Sequence, residues 1–491
     1  MLFRRAFSST FQTKLFINNQ WVNSSTGKVF PTINPATEQI ITEVQYGSPK
    51  DIDKAVDAAK EAFEGPWRRF TAVQRANLLY KLADLIDKNK DQLINTECLD
   101  NGKPVSELTH VDLPMTSKLF RYYASFADKV FGKTIPMNGP FFTYTRLEPK
   151  GVAGQIIPWN FPLVMLAFKL APALAAGCTC VLKPAEQTPL TALMIGELII
   201  EAGFPAGVVN IVPGFGDTGA ALTVHEKVDK IAFTGSTEVG LEIVRNSGIN
   251  GLRRVTLELG GKSPNIILDD ADLDCAIAQS HMGLFFNQGQ CCNAGSRLFV
   301  QEKIYDKFIK LASDCASGRI IGDPLNPNTQ HGPQIDETQM NRILKYVDSG
   351  KKEGAKLLTG GNRWGNKGYY VEPTVFADVT DDMTIAKEEI FGPVMSILKF
   401  KTIDEVIERA NNTKYGLAAG VVTNDIEKAV KIAHSLRAGQ VYVNCYGAVS
   451  EGAPFGGYKQ SGTGRELGED GIMNYLESKT VVVKTSSDTL P

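Results

Sequence analysis

A chain of 491 residues with 43% hydrophobic and 22% charged side chains is too long for one hydrophobic core and too ordinary in composition to be fibrous or disordered. Its 52 basic and 54 acidic residues leave a net charge of −2, which argues against a surface built to hold nucleic acid or anionic membrane. No stretch offers the roughly 20 apolar residues of a membrane span, and the eight cysteines and five histidines show neither a disulfide framework nor the spacing of a metal site, so no metal is expected.

Residues 1–14 carry Arg4, Arg5 and Lys14 with Ser8, Ser9, Thr10 and Thr13, and no acid precedes Glu38. That composition is that of a mitochondrial transit peptide, and Arg5-Ala6-Phe7-Ser8 resembles a matrix-protease cleavage site. The expected compartment is the mitochondrial matrix, with the cytoplasm as the alternative. Residues 16–30 set Asn18-Asn19 and Thr26-Gly27 among short apolar pairs and suggest a small hairpin. Three helices follow. The first starts at Ser48-Pro49, with Ile52, Val56, Ala59 and Phe63 at helical spacing. The second carries Leu79, Leu82 and Ile86 and stops near Asn101-Gly102; the third covers residues 112–130. Residues 141–147 alternate as a strand, isolated enough to cross to a partner subunit.

From Gly151 the pattern changes. Strands are expected at residues 152–157, 179–182, 208–212, 230–233 and 255–259, with helices between them, including an apolar one over residues 163–176 interrupted by Lys169 and Pro172. Repeated alternation with largely apolar strands means a parallel sheet covered on both faces, with its ligand at the carboxyl ends. Strands at 297–300, 394–400, 419–422 and 441–444 read as a second α/β domain. Residues 479–484 form a last strand with little chain left to cover its edge, which invites pairing with another subunit.

Six segments carry residues suited to chemistry. In Phe285-Phe286-Asn287-Gln288-Gly289-Gln290-Cys291-Cys292-Asn293 a helix breaks at glycine and delivers two cysteines, each a candidate nucleophile and each equally a candidate for simple burial. In Leu257-Glu258-Leu259-Gly260-Gly261-Lys262 an acid ends an apolar strand, where burial raises its pKa and suits a general base, unless a lysine pairs it. In Pro158-Trp159-Asn160-Phe161-Pro162 the Asn160 amide is displayed where a helix begins, as an oxyanion donor or as a cap. Lys183 and Glu186 close the next strand and suit ribose hydroxyls and phosphate, or a solvated turn. Gly235 and Ser236 open a helix whose free amides suit phosphate. They compete with a literal G-x-G-x-x-G at Gly214, Gly216 and Gly219, which we read as a turn because no ribose-binding acid ends a following strand. Glu388-Glu389 before Phe391-Gly392-Pro393 could bond a ribose or form a charged loop.

Taken jointly and in this order, the segments resemble the aldehyde dehydrogenase superfamily, and within it the class 1 and 2 enzymes. The resemblance runs from about Leu15 to Lys484, with LELGGKSP and FFNQGQCCNAGSR as its specific signatures. It implies an α/β fold: a Rossmann-like NAD-binding domain from residues 15–130 and 150–260, a second α/β catalytic domain from 261–476, and a small β oligomerisation arm from 131–149 and 477–491. It implies Cys292 rather than Cys291 as nucleophile, Glu258 as general base and Asn160 as oxyanion donor. For an NAD cofactor it implies Lys183 and Glu186 at the adenine ribose, Gly235 and Ser236 at the pyrophosphate, and Glu389, Phe391 and Trp159 beside the nicotinamide half.

The implied reaction oxidises an aldehyde to a carboxylic acid through a thioester, with local dipoles and the cofactor's positive ring favouring the thiolate. A carboxylate at Glu186 favours NAD over NADP by repelling a 2′-phosphate. The implied substrate tunnel is apolar, with Met115, Phe161, Met165, Phe168, Phe286 and Phe455, which suits a small or medium aliphatic aldehyde such as acetaldehyde. Asn293 and the stretch Val449-Ser450-Glu451-Gly452-Ala453 depart from the mitochondrial pattern and suggest a wider or more polar mouth. A homotetramer is implied, bridged by residues 141–147 and 479–484, with Glu477 an interface acid for Arg254 and Arg465. The rival readings are a non-catalytic, crystallin-like protein on the same fold, and an acyl-CoA-forming dehydrogenase; the presence of Glu258 favours hydrolysis.

Overall fold

The computed structural model describes residues 11–486. The expected leader lies mostly outside the described residues, as does the end of the expected arm at 487–491.

Among the described residues the first sheet has the order Gly462–Thr463, Arg254–Glu258, Lys230–Thr234, Val152–Ile156, Thr179–Lys183, Val209–Ile211, Leu15–Ile17, Gln20–Val22. The five strands from Arg254–Glu258 to Val209–Ile211 are parallel. Val152–Ile156, Thr179–Lys183 and Lys230–Thr234 are buried along their whole length, as a sheet covered by helices on both faces requires. From Val152–Ile156 the chain steps outward in one direction to Thr179–Lys183 and Val209–Ile211. It then crosses back and steps the other way through Lys230–Thr234 and Arg254–Glu258. A sheet whose strand order reverses in this way opens a crevice at its carboxyl ends.

The helix Pro162–Ala176 lies in the core against this sheet, with Leu166, Ala167 and Leu170 fully buried. Proline occupies its first position, where a missing amide costs nothing, and it stops at Gly177, whose φ of 97° suits a residue without Cβ. The expected hairpin near the N-terminus is present. Leu15–Ile17 and Gln20–Val22 pair antiparallel around Asn18 and Asn19, with φ of 56° and 57°, a turn whose twist matches the strands. Phe16 also pairs with Ile211, so the hairpin extends the main sheet.

The second sheet has the order Lys356–Thr359, Thr374–Ala377, Val394–Phe400, Arg297–Gln301, Pro264–Ile267, Ala418–Val422, Gln440–Val443. All of its pairings are parallel except that of Lys356–Thr359. Pro264–Ile267 was not among the expected strands; its proline is the first residue of the strand, a position where proline is tolerated. Five residues, Leu259 to Ser263, carry the chain from the end of the first sheet into the second.

One expected helix is corrected, one hairpin was missed, and one stretch near the C-terminus returns to the first sheet. The second helix is two, Ala72–Lys88 and Lys90–Asn101, divided at Asn89, whose side-chain amide donates to the Leu85 carbonyl at 2.8 Å. A hairpin of Val29–Asn34 with Gln39–Gln45 was missed. Residues beyond 443 do not all stay with the catalytic domain. Gly462–Thr463 pairs with Leu257 and Glu258, and the helix Gly468–Met473 packs on Pro162–Ala176. The returning segment caps what would otherwise be a bare edge of the first sheet.

Residues 141–147 and 479–484, expected as separate bridging strands, belong to Phe141–Pro149 and Leu476–Lys484, which pair with each other in antiparallel register beside Thr134–Ile135. Among the described residues the outer edge of Leu476–Lys484 is unpaired. Of the two arginines expected at Glu477, Arg254 reaches it at 3.2 Å, whereas Arg465 donates to the carbonyls of Gly457 and Gly464.

The buried helix Pro162–Ala176 supports both the first sheet and the loop before it. Leu170→Ala is expected to lower stability by about 2–5 kcal/mol through the cavity it leaves, read as an earlier first transition in urea unfolding.

Candidate active site

Neighbouring strands of the first sheet end at the crevice. Val152–Ile156 runs into Pro158, Trp159 and Asn160; Lys230–Thr234 runs into Gly235 and Ser236; Arg254–Glu258 terminates in Glu258 itself. The second domain supplies the loop between the helix Leu273–Phe285 and the strand Arg297–Gln301. In that loop Asn287, Gln288 and Gly289 have φ of 48°, 55° and 75°. Left-handed backbone at the two non-glycine residues costs on the order of 1–3 kcal/mol each and persists only where the surroundings enforce it. Asn287 Nδ2 donates to the Asn160 carbonyl at 2.9 Å, the Gln290 amide donates to the Asn287 carbonyl at 2.9 Å, and the Ile335 amide donates to Gln290 Oε1 at 3.0 Å.

Both sets of residues line one cavity of about 700 Å³, whose walls include Cys292, Glu258, Asn160, Trp159, Gly235, Ser236, Glu389 and Phe391. All six expected tunnel residues line it too: Met115, Phe161, Met165, Phe168, Phe286 and Phe455. Phe161 stacks on Phe286 with ring centres 6.0 Å apart, and Phe168 meets Phe455 edge-on at 6.4 Å. Asn293 and Val449 also reach this wall.

The two cysteines differ. Cys291 is buried and directs its thiol to the Phe286 carbonyl at 3.5 Å, within the packing of the second domain. Cys292 keeps a partly exposed face. Burial, then the Glu258 and Glu389 carboxyls, push its thiol well above the usual range, while the amides of Asn293 and Cys292 pull it back. The local dipoles act in the expected direction, and in the cofactor-free protein burial and the two carboxyls outweigh them.

Glu258 is 4% exposed, and neither of its carboxyl oxygens has a hydrogen-bond partner among the described residues. Burial, then Glu466, raise its pKa well above the carboxylate range, against Lys169 and Arg465. Gly456 lies against it; a Cβ there would sit 2.6 Å from Glu258 Oε1, so only glycine leaves the carboxyl its room. Asn160 is 5% exposed and donates one amide hydrogen to the Gln290 carbonyl at 2.7 Å, which leaves the second available. Glu389 Oε1 accepts from the Gly261 amide at 3.0 Å, and burial pushes its pKa up to about 7. Phe391 meets Trp159 edge-on at 5.3 Å.

The chain is similar to known proteins over most of its length. A profile of the aldehyde dehydrogenase family matches residues 21–481. The human protein "Aldehyde dehydrogenase, mitochondrial" is 59% identical over 477 residues, 96% of this chain and 92% of that one. Human "Retinal dehydrogenase 2" is 58% identical over 96% of this chain and 92% of its own length. The chain belongs to the aldehyde dehydrogenase family. Among solved structures, an NAD+ complex of aldehyde dehydrogenase from Bacillus cereus matches with a TM-score of 0.95 and 52% identity over 96% of both chains.

In this aldehyde dehydrogenase, Lys183 and Glu186 stand apart from the cavity around Cys292, at the end of the adjoining strand. Lys183 is buried and donates to the carbonyls of Gly214, at 2.6 Å, and Pro184, with Glu186 3.4 Å away. Gly216 of the literal glycine motif begins the helix Gly216–Val224; none of its three glycines lines the cavity. Ser236 caps the helix Thr237–Asn246 by accepting from the Val239 amide at 3.3 Å.

Sequence reasoning passed over Lys169 and Glu466. They form a buried ion pair beside Glu258, and Lys169 also donates to Thr234 Oγ1 at 2.7 Å. One signal was present: a lysine inside an otherwise apolar helix needs a buried partner. The partner lies almost 300 positions away, where no local pattern marks it.

The raised thiol of Cys292 predicts slow alkylation of the cofactor-free enzyme at neutral pH. The rate with iodoacetamide should climb about tenfold per pH unit through pH 9 without a plateau, since the thiolate is the reactive form. A plateau near pH 7, measured by mass spectrometry of the Cys292 peptide, would contradict the direction of that shift.

Proposed function

We propose that this dehydrogenase oxidises a small or medium aliphatic aldehyde, such as acetaldehyde, to its carboxylic acid with NAD+, through a thioester on Cys292 hydrolysed with Glu258 as base. The observation that carries the reading is the meeting of Cys292, an unpartnered Glu258 carboxyl and a spare Asn160 N–H on one cavity with apolar walls.

NAD is the cofactor, and the residues present suit it. The first amides of the helix Thr237–Asn246 have no acceptor within the helix and open on the cavity at Ser236 and Thr237, where a pyrophosphate gains both hydrogen bonds and the helix dipole. Glu389, Phe391 and Trp159, between that helix and Cys292, would hold the nicotinamide half. Lys183 and Glu186 would hold the adenine ribose. When bound, NAD supplies the two-electron oxidation.

The protein's own part follows from the geometry. The Cys292 sulfur bonds the aldehyde carbon as its proton leaves to the neighbouring Glu258 carboxylate. The carbonyl electron pair moves to oxygen, where the second Asn160 N–H and the Cys292 amide hold it; each such donor is worth about 100- to 1,000-fold in rate. Glu258 passes the thiol proton to solvent. Once the adduct has been oxidised to the thioester, Glu258, again a carboxylate, takes a proton from water as the water oxygen bonds the acyl carbon, and later returns it to the leaving sulfur. The carbon–sulfur bond breaks, the acid leaves and the thiol is restored. Lys169 and Arg465 favour the ionised form of Glu258, while burial and Glu466 oppose it and keep its pKa raised.

Assembly as a homotetramer is supported by the unpaired edge of Leu476–Lys484 and by the Arg254–Glu477 pair beside it. The mitochondrial matrix is the compartment we propose, on the basic, acid-poor composition of residues 1–14 and on relatives named as mitochondrial, although others are retinal dehydrogenases.

Cys292→Ala should abolish NADH formation, followed by absorbance, while the variant stays folded and binds NAD. Within an aldehyde series, kcat/KM should peak at short or medium chains. Retained turnover in the variant would remove Cys292 as nucleophile. Glu186 is expected to make kcat/KM at least about tenfold higher with NAD than with NADP, a difference of about 1.4 kcal/mol. Equal efficiencies would remove its role in repelling the 2′-phosphate.

A further inference from the structure

The left-handed turn before Cys292 is held from outside by two charged residues that the mechanism above does not use. Glu107 ends the three-residue helix Val105–Glu107, just before the π-helical turn Leu108–Asp112. Its Oε2 accepts from the Asn287 amide at 3.1 Å. Arg319 follows the helix Tyr305–Ser317, and its Nη2 donates to the Phe285 carbonyl at 3.0 Å while lying 3.7 Å from Glu107 Oε1. Arg319 Nη1 is braced by His281 Nε2 at 3.0 Å. The carboxylate and the guanidinium thus grip the peptide groups on either side of Phe286, and each touches the other. Both side chains are largely buried, at 13% and 7% exposure, so their attraction is little screened.

We infer that Glu107 and Arg319 are positioning residues for the nucleophile: a charged clamp on the peptides flanking Phe286 that forces the turn at Asn287 and Gln288 and so sets Cys292 against Asn160. Neither residue reaches the cavity wall around Cys292, so neither touches substrate. The link to chemistry is short. Asn287 donates to the Asn160 carbonyl, and Asn160 donates to the Gln290 carbonyl, so the peptide that Glu107 holds is bonded to the residue that carries the oxyanion donor.

The clamp is also sensitive to pH. Burial pushes Glu107 up to about 7, Lys103 and Arg319 pull it down, Asp112 pushes it up and the Asn287 amide pulls it down. Lys103 is committed to Asp112 and lies over the Phe161 ring. Cys291, on the turn itself, is raised by burial and stays neutral. His281 and His331, which face Arg319, are lowered to about 4 and about 3 and stay neutral as well. Glu97 is pushed up to about 8, but it serves the Leu163 amide on the other loop. Protonating Glu107 removes its attraction to Arg319 and weakens it as an acceptor, so the clamp loosens as pH falls below about 7.

The inference rests on Cys292 being the nucleophile, and the experiment separates the two. Glu107→Ala, Glu107→Gln and Arg319→Lys are compared with wild type and Cys292→Ala for kcat, KM for aldehyde and NAD, the pH profile of kcat and thermal midpoint. Glu107→Ala should lose about tenfold in kcat with KM for NAD unchanged. Glu107→Gln, whose amide oxygen still accepts from Asn287, should recover most of that loss at pH 8 and show a flatter acid limb than wild type. Arg319→Lys should fall between them. Wild-type kcat in Glu107→Ala would overturn the clamp. So would Glu107→Gln as slow as Glu107→Ala with an acid limb of wild-type shape, since a purely structural role predicts that. Should Glu107→Ala fail to fold, the acid limb of Glu107→Gln decides alone. Retained turnover in Cys292→Ala removes the nucleophile reading itself; an inactive Cys292→Ala beside unaffected Glu107 variants removes only the clamp.

Discussion

A carboxyl group buried without a partner is the constraint that organises this enzyme. Glu258 ends a strand of the first sheet with both oxygens unsatisfied, in a protein interior where such groups are normally paired. To leave it so requires a glycine at 456, because a Cβ would touch the oxygen, and a strand at Gly462–Thr463 to complete the sheet edge from which it projects. Nearby Lys169 does not bond it, because it bonds Glu466 and Thr234 instead, and Glu466 adds to the burial that disfavours the charged carboxylate. The result is a base poised above the ordinary carboxylate range, facing a cavity rather than a partner.

The loop that carries Cys292, the nucleophile we propose, is shaped by a different device, left-handed backbone held by polar contacts. Residues 97–112 act as a buried framework beneath both catalytic loops. Glu97 accepts from the Leu163 amide, Asn101 donates to the Trp159 carbonyl at 2.6 Å, and Lys103 lies 3.6 Å from the centre of the Phe161 ring. Glu107 completes the framework at Asn287. One stretch of chain, whose end at Val111 and Asp112 reaches the cavity wall, therefore contacts both the Asn160 loop and the Cys292 loop. That common support explains how groups from two sheets keep a relative placement that neither domain could hold alone.

The cofactor side depends less on side chains than on topology. The reversal of strand order puts the ends of Val152–Ile156 and Lys230–Thr234 side by side, with the start of the helix Thr237–Asn246 open on the cavity. Lys183 and Glu186 stand one strand further along, so a dinucleotide would span the crevice from the ribose end to the cavity at Cys292. The apolar rings Phe161, Phe168, Phe286 and Phe455 line the same cavity.

Much of this was legible in the residues. Alternating apolar runs gave the parallel sheet from 152 to 258, because strands covered on both faces must be apolar throughout. Ser48-Pro49 and Asn18-Asn19 marked a helix start and a turn through local backbone preferences, and a glutamate ending an apolar strand before two glycines marked Glu258 as a candidate base. What local pattern could not reach was any partner distant in sequence. The pairing of Lys169 with Glu466, the return of residues 462–463 to the first sheet, and the mutual pairing of the two strands read as separate bridges all join positions about 200 to more than 300 residues apart. Nor could spacing separate Cys291 from Cys292, since two adjacent thiols share one composition and one period. Both line the cavity, and the fold separates them by burying Cys291 with its thiol on the Phe286 carbonyl while Cys292 keeps a partly exposed face. Burial, charge partners and backbone strain are properties of the packed chain, and they decided which of the legible residues stand together and in what state of protonation.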